Sequence, residues 1–286
     1  MPKFGAHAFL WIDEWTSEKG NLAIEAANKA GFDLIEIPIL EPDKFFPEAH
    51  KDILAGANLV VAGSAVLPWD AHMPENPEGA KRFLIKVLDK LEIINGTYMV
   101  GCFAYALGKF SGAPPTHHEL DVTVHTLREV AREAERRGIT LCLEVLNRYE
   151  GYLYTTLQEA RSIIKAVGVP NLKLHADAYH MNIEEEGYYR PLLECADVLG
   201  YMHISESHRG LVGTGTINWD DVFRGLADAH YSGPLVLESF AAVNPALAGA
   251  TKIWRAPKHS SDVLASEGLK FLKHYAEKYG LSNEVK

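Results

Sequence analysis

The stretch Ile139–Asp177, ITLCLEVLNRYEGYLYTTLQEARSIIKAVGVPNLKLHAD, decides the fold. It opens on a near-continuous apolar run, Ile139–Leu146, which reads as a strand covered on both faces. Thr156–Val167 follows with helical spacing, and Gly168 stands where a helix would stop. Leu172–Ala176 is then a second apolar strand. Strand, helix, strand is a crossover unit, and crossover units build parallel sheets.

The same unit recurs in both directions. Upstream, the strand candidates are Phe4–Trp11, Phe32–Ile39, Leu59–Leu67 and Thr97–Tyr105. Between them lie helix candidates over Asn21–Ala30, Glu48–Leu54, Pro77–Ile94 and Glu119–Arg137, the last stopped by Gly138. Downstream, Tyr188–Cys195 is read as a helix, Val198–Ile204 as strand seven, Asn218–Ala229 as a helix and Leu235–Phe240 as strand eight. Ala241–Lys258 reads as a loop, and Val263–Tyr279 as the closing helix. Eight such units predict a closed (β/α)8 barrel, one domain over 1–286. An open doubly wound sheet would want a Gly-rich turn after strand one, and none is present.

Composition agrees and excludes some partners. The chain has 286 residues, 28 Lys+Arg and 38 Asp+Glu, for a net charge of −10. That balance argues against nucleic acid and against anionic membrane surfaces, which both attract clustered Lys and Arg. No apolar run approaches the roughly 20 residues of a membrane helix, and the Met1–His7 end lacks the design of a signal peptide. Cys102, Cys142 and Cys195 are too scattered for a C-x-x-C site and are expected as thiols in a reducing, cytoplasmic setting.

In a barrel of this kind the chemistry sits at the C-terminal strand ends. There the apolar pattern breaks at Glu144, Asp177, His203 and Glu238, on strands five to eight. Any one of these alone reads more naturally as a salt-bridge or core hydrogen-bond partner. Together they place three carboxylates in one confined rim, where they repel one another unless a divalent cation is shared. Three oxygens and one imidazole nitrogen suit Mn²⁺, Mg²⁺ or Co²⁺. Asn147, Arg148, Glu150, His180, Glu206, His208 and Arg209 follow the rim residues in sequence. They supply fixed donors and acceptors for a hydroxyl-rich ligand, or are loop surface charges, a reading strongest for Glu206.

The strings Glu144–Glu150, Asp177–Glu185, His203–Gly210, Gly213–Gly215 and Glu238–Phe240 resemble the ketose 3-epimerases, which act on D-tagatose, D-psicose (D-allulose) or L-ribulose within the xylose isomerase-like barrels. The resemblance spans the chain in motif order and is weakest in the N-terminal third. It implies that Glu144, Asp177, His203 and Glu238 bind a metal, usually Mn²⁺, and that Glu144 and Glu238 are also the acid and base. It implies that Glu150, His180 and Arg209 hold the O1–O3 end of the sugar. His7, Phe240, Ser64, Gly63, Gly101 and Trp11 would line the rest, with Leu67, Ala106 and Leu107 near the far end. One departure is Leu-His-Ala-Asp before the second ligand, where relatives often have Leu-Asp directly. It also implies a small-molecule ketose as partner and assembly as a homodimer or homotetramer.

The chemistry fits the residues independently. The C3 hydrogen of a ketose is α to the C2 carbonyl, so C3 can be inverted through an enediolate with a base on one face and an acid on the other. Three other readings stay open. One is a C1–C2 isomerase of the hydroxypyruvate isomerase type, or a dehydratase, on the same barrel. Another is a sugar- or metal-binding module without turnover. The abasic-site nucleases of this barrel type are disfavoured by the net charge of −10 and by the lack of a multi-histidine trinuclear set.

Overall fold

The computed structural model describes residues 2–281; the two ends of the expected 1–286 span, residue 1 and residues 282–286, lie outside the described residues. Eight parallel strands close into one barrel, each paired with its sequence neighbours and β1 paired with β8. They are β1 Phe4–His7, β2 Leu34–Pro38, β3 Val60–Ser64, β4 Tyr98–Gly101, β5 Thr140–Glu144, β6 Leu172–Asp177, β7 Leu199–Ile204 and β8 Leu235–Leu237. The helices outside them are α1 Ser17–Ala30, α2 Lys51–Gly56, α3 Pro77–Ile93, α4 His117–Arg136, α5 Leu157–Val167, α6 Ala178–Glu184, α7 Tyr189–Glu194, α8 Trp219–Asp228, α9 Pro245–Thr251 and α10 Ser261–Lys278. None of the described helices is long and apolar enough to cross a membrane.

Local chemistry fixes the boundaries. Thr116 with Glu119 and Thr156 with Glu159 form reciprocal capping boxes at the starts of α4 and α5. Gly168 closes α5 in the left-handed conformation, φ 68°. α1 begins at Ser17, earlier than the apolar spacing predicts, because the Thr16 side chain accepts from the Lys19 N–H. β1 stops at His7 instead of continuing to Trp11. The His7 ring accepts from the Phe9 N–H and caps a 3-10 turn over Ala8–Leu10. The expected Glu48–Leu54 helix is a 3-10 turn, Pro47–His50, running into α2. Two short helices fall where no helix is expected, α6 directly after β6 and α9 inside the predicted loop. Asp177 and Asn244 cap them, and their apolar periodicity is too brief to read from sequence.

The period of two along a strand positions the site. Leu34, Ala62, Val100, Cys142, Tyr201 and Val236 pack together inside the barrel. Two residues further along the same strands come Glu36, Ser64, Glu144, His203 and Glu238. A polar layer thus lies directly above an apolar one, at the C-terminal mouth. All three cysteines are buried thiols, and burial raises each thiol pKa.

Candidate active site

β5, β6 and β7 bring the first three rim residues into register. Glu144 pairs with His175 across β5 and β6, and Asp177 pairs with His203 across β6 and β7. A register shift between Leu174 and His175 permits the second pairing. Glu238 follows β8, and the Ser205 hydroxyl donates to its backbone carbonyl at 2.9 Å. Around the His203 ring, Nδ1 lies 3.4 Å from Asp177 Oδ2, 3.7 Å from Glu144 Oε1 and 3.8 Å from Glu238 Oε1. Glu144, Asp177 and His203 are buried, and Glu238 is partly buried.

This donor set fits a divalent cation. Asp177 Oδ2 and His203 Nδ1 are both buried without a hydrogen-bond partner. An unpartnered polar atom in a buried site is costly, yet here two converge on one centre with two more carboxylates. Asp177, His203 and Glu238 offer one ligand atom each within 4.8 Å of one another. A cation would also relieve the electrostatic conflict. Burial pushes the Glu144 carboxyl well up, opposed by His203 and reinforced by Glu238 and Asp177. Burial disfavours a charged His203, but Glu36, Asp177 and Glu238 outweigh it and raise the imidazole well above its usual value.

The adjoining wall is built on the loop after β5, on α6 and on the loop after β7. Asn147 holds the His180 ring, donating to Nδ1 from its backbone N–H at 3.1 Å. That leaves the His180 Nε2 edge toward the cavity, 3.8 Å from Glu144. Burial pushes the His180 pKa down to about 4, so the ring is neutral near pH 7. Asn147 also donates to Glu150 at 3.0 Å. Arg209 pairs with Glu238, lies 3.8 Å from Glu150, and stacks 4.0 Å above the Tyr179 ring. Its backbone adopts φ 55°, uncommon for a residue with a side chain.

His7, Ser64, Gly101, Glu150, His180, Arg209 and Phe240 all line one cavity with Glu144, His203 and Glu238. Gly101 has φ 104°, and a Cβ there would stand 2.7 Å from the Ala65 carbonyl oxygen. Trp11 does not line this cavity. The 3-10 turn after His7 swings it off the strand, and its ring packs edge-on against Phe32 at 5.9 Å. Phe9 takes that place, stacked with Phe240 at 6.1 Å. Leu107 lines the cavity, whereas Leu67 and Ala106 form a bridge with each other and do not line it. Gly63 faces away, against Leu91.

Glu36 and His175 belong to the site without any motif to mark them, and Glu206 has a different place from the one expected. Glu36 is 1% exposed and accepts from the Tyr201 hydroxyl at 2.8 Å. The Glu36–His203 pair is close, 2.9 Å. Burial opposes its ionisation, but His203 and His7 hold its pKa at about 2. His175 is fully buried, packed edge-on against His203 at 4.2 Å. Glu206 is not a surface charge. It is fully buried and accepts from the backbone N–H groups of Ser207, Gly213 and Ile217 and from the Trp219 indole.

A rim of carboxylates and a histidine that could hold a metal ion thus lies at the mouth of a closed parallel barrel. Residues 24–280 match the family model for the xylose isomerase-like TIM barrel, and the chain belongs to the ketose 3-epimerases within that family. It is an enzyme of the isomerase class. L-ribulose 3-epimerase of Methylomonas sp. (strain DH-1) is 36% identical over 277 residues, covering 95% of this chain and 96% of the relative. Ketose 3-epimerase of Arthrobacter globiformis is 34% identical over 259 residues, covering 88% and 89%. The crystal structure of D-allulose 3-epimerase from Methylomonas sp. in complex with D-allulose superposes with a TM-score of 0.92 at 36% identity, covering 96% of this chain and 97% of that one.

Proposed function

We propose that this chain inverts C3 of free ketoses, interconverting pairs such as D-fructose and D-allulose, D-tagatose and D-sorbose, or L-ribulose and L-xylulose. One observation carries the reading. Glu144 and Glu238 come from different strands, and each has a carboxylate oxygen within 3.8 Å of the same His203 nitrogen. Two carboxylates flanking one centre can address opposite faces of a carbon placed between them.

Glu144, Asp177, His203 and Glu238 would hold a divalent cation, with Mn²⁺ the expected ion and Co²⁺ or Mg²⁺ as substitutes. Such an ion supplies Lewis-acid stabilisation of the negative charge that builds on the sugar when C3 loses its proton. One of the two glutamates removes the C3 proton, and the other returns a proton from the opposite face. Running the reaction backwards exchanges their roles. Glu150, neutral His180 and Arg209 hold the O1–O3 end, while His7, Ser64, Gly101, Phe9 and Phe240 surround the remainder. The same reading carries a cytoplasmic location and a homodimer or homotetramer, the latter checked by light scattering on the purified protein.

The deciding experiment runs the Mn²⁺-loaded enzyme on a panel of ketoses in D₂O and reads the product by proton NMR. Deuterium at an inverted C3 supports the proposal. Exchange at C1 with an aldose product would replace it with a C1–C2 isomerase. Sugar binding with no exchange would leave a binding module.

A further inference from the structure

The structure assigns Glu36 as a positioning residue that orients the metal-binding imidazole of His203 and links it to the sugar cavity. The inference rests on the proposed cation at the four rim residues. Glu36 comes from β2, three strands round the closed barrel from β7, which carries His203. Its Oε2 atom is 2.9 Å from His203 Nε2 and accepts from the Tyr201 hydroxyl at 2.8 Å. Its Oε1 atom lies 3.5 Å from His7 Nε2.

A carboxylate can only accept, so the ring nitrogen facing it carries the proton. That leaves the Nδ1 lone pair of His203 aimed at Asp177, Glu144 and Glu238. Carboxylate partners of metal-bound histidines fix ring orientation and raise ligand basicity. Here the carboxylate is almost wholly buried, which strengthens the interaction. The second oxygen gives Glu36 a further task. His7 Nδ1 accepts from the Phe9 N–H at 3.1 Å, so His7 also carries its proton on Nε2. That nitrogen sits between Glu36 and the Ser64 hydroxyl, 3.2 Å away. One carboxylate therefore orients His203 and also lies beside His7, whose ring the Phe9 N–H and the Ser64 hydroxyl hold. An aliphatic residue at position 36 would leave His203 Nε2 and the Tyr201 hydroxyl without their shared acceptor.

The test measures Mn²⁺ binding to the full-length protein by electron paramagnetic resonance of the free ion. It uses wild type, Glu36→Gln and Glu36→Asp. Glu36→Gln removes the charge, and Glu36→Asp keeps the charge but withdraws it from His203. The expected result is Mn²⁺ affinity weaker by about 10- to 100-fold in both variants. Saturating Mn²⁺ then restores most of kcat, which a general loss of structure would not allow. If Glu36→Gln does not fold, Glu36→Asp decides alone. Affinity equal to wild type in a folded variant overturns the assignment, as does a loss of kcat that saturating Mn²⁺ leaves in place. A wild-type protein that takes up no Mn²⁺ defeats the metal reading itself.

Discussion

Asp177 Oδ2 and His203 Nδ1 face each other at 3.4 Å, both buried and neither hydrogen-bonded. A proton or a cation must reconcile such a pair. Neighbouring carboxylates raise the His203 pKa well above its usual value despite burial, and burial raises that of Glu144.

Metal uptake is therefore expected to release protons and to strengthen as pH rises. His203 and Glu144 are both raised groups, so their protons are bound at low pH and leave as pH increases, which favours the ion. Titration calorimetry in buffers of different ionisation enthalpy, between pH 5.5 and 8, measures the released protons. Uptake that is independent of pH contradicts the ligand set. Chelation should abolish activity and lower Tm, and Mn²⁺ or Co²⁺ should restore both.

Glu144→Gln and Glu238→Gln should each lose at least about 100-fold in kcat, because each removes a proton carrier and a ligand charge. Sugar binding, followed by calorimetry at saturating metal, should survive better than turnover. Full activity in either variant, with metal retained, contradicts a mechanism with two carboxylates.

Glu206→Ala tests the loop that carries Arg209. Three backbone N–H groups and the Trp219 indole lose their acceptor in this variant. Orphaned buried donors cost on the order of 1–3 kcal/mol each when water cannot reach them. We expect a lower denaturation midpoint and a raised KM, since Arg209 lies three residues on in the loop that the Glu206 carboxylate ties to Gly213, Ile217 and Trp219. A variant with wild-type stability and KM would show that the loop holds itself.

Gly101→Ala should destabilise by on the order of 1–3 kcal/mol. Its φ of 104° disfavours any side chain, and the obstructing atom is a backbone carbonyl oxygen that cannot rotate away. Urea unfolding of the metal-free protein measures the effect; an unchanged midpoint refutes it.

Residues differ in how openly the chain displays their roles. Glu144, Asp177, His203 and Glu238 stand out because each interrupts an apolar strand at its C-terminal end. Glu36 interrupts β2 in the same way, but with no motif around it and a strand partner set by barrel closure. Glu206 reads as a loop charge because its partners are main-chain N–H groups, which every sequence offers equally. Trp11 reads as part of strand one because nothing in the local pattern announces the 3-10 turn capped by His7.

The sequence by itself determined the eightfold strand–helix alternation, the glycine stops of the helices and the four rim residues, since these follow from periodicity and backbone conformation. Only the tertiary structure decided that Glu36 meets His203 across 167 positions, that Asp177 and His203 share a centre, and that Phe9 rather than Trp11 faces the cavity. Closure and register of the barrel set those contacts, and they depend on all eight strands at once.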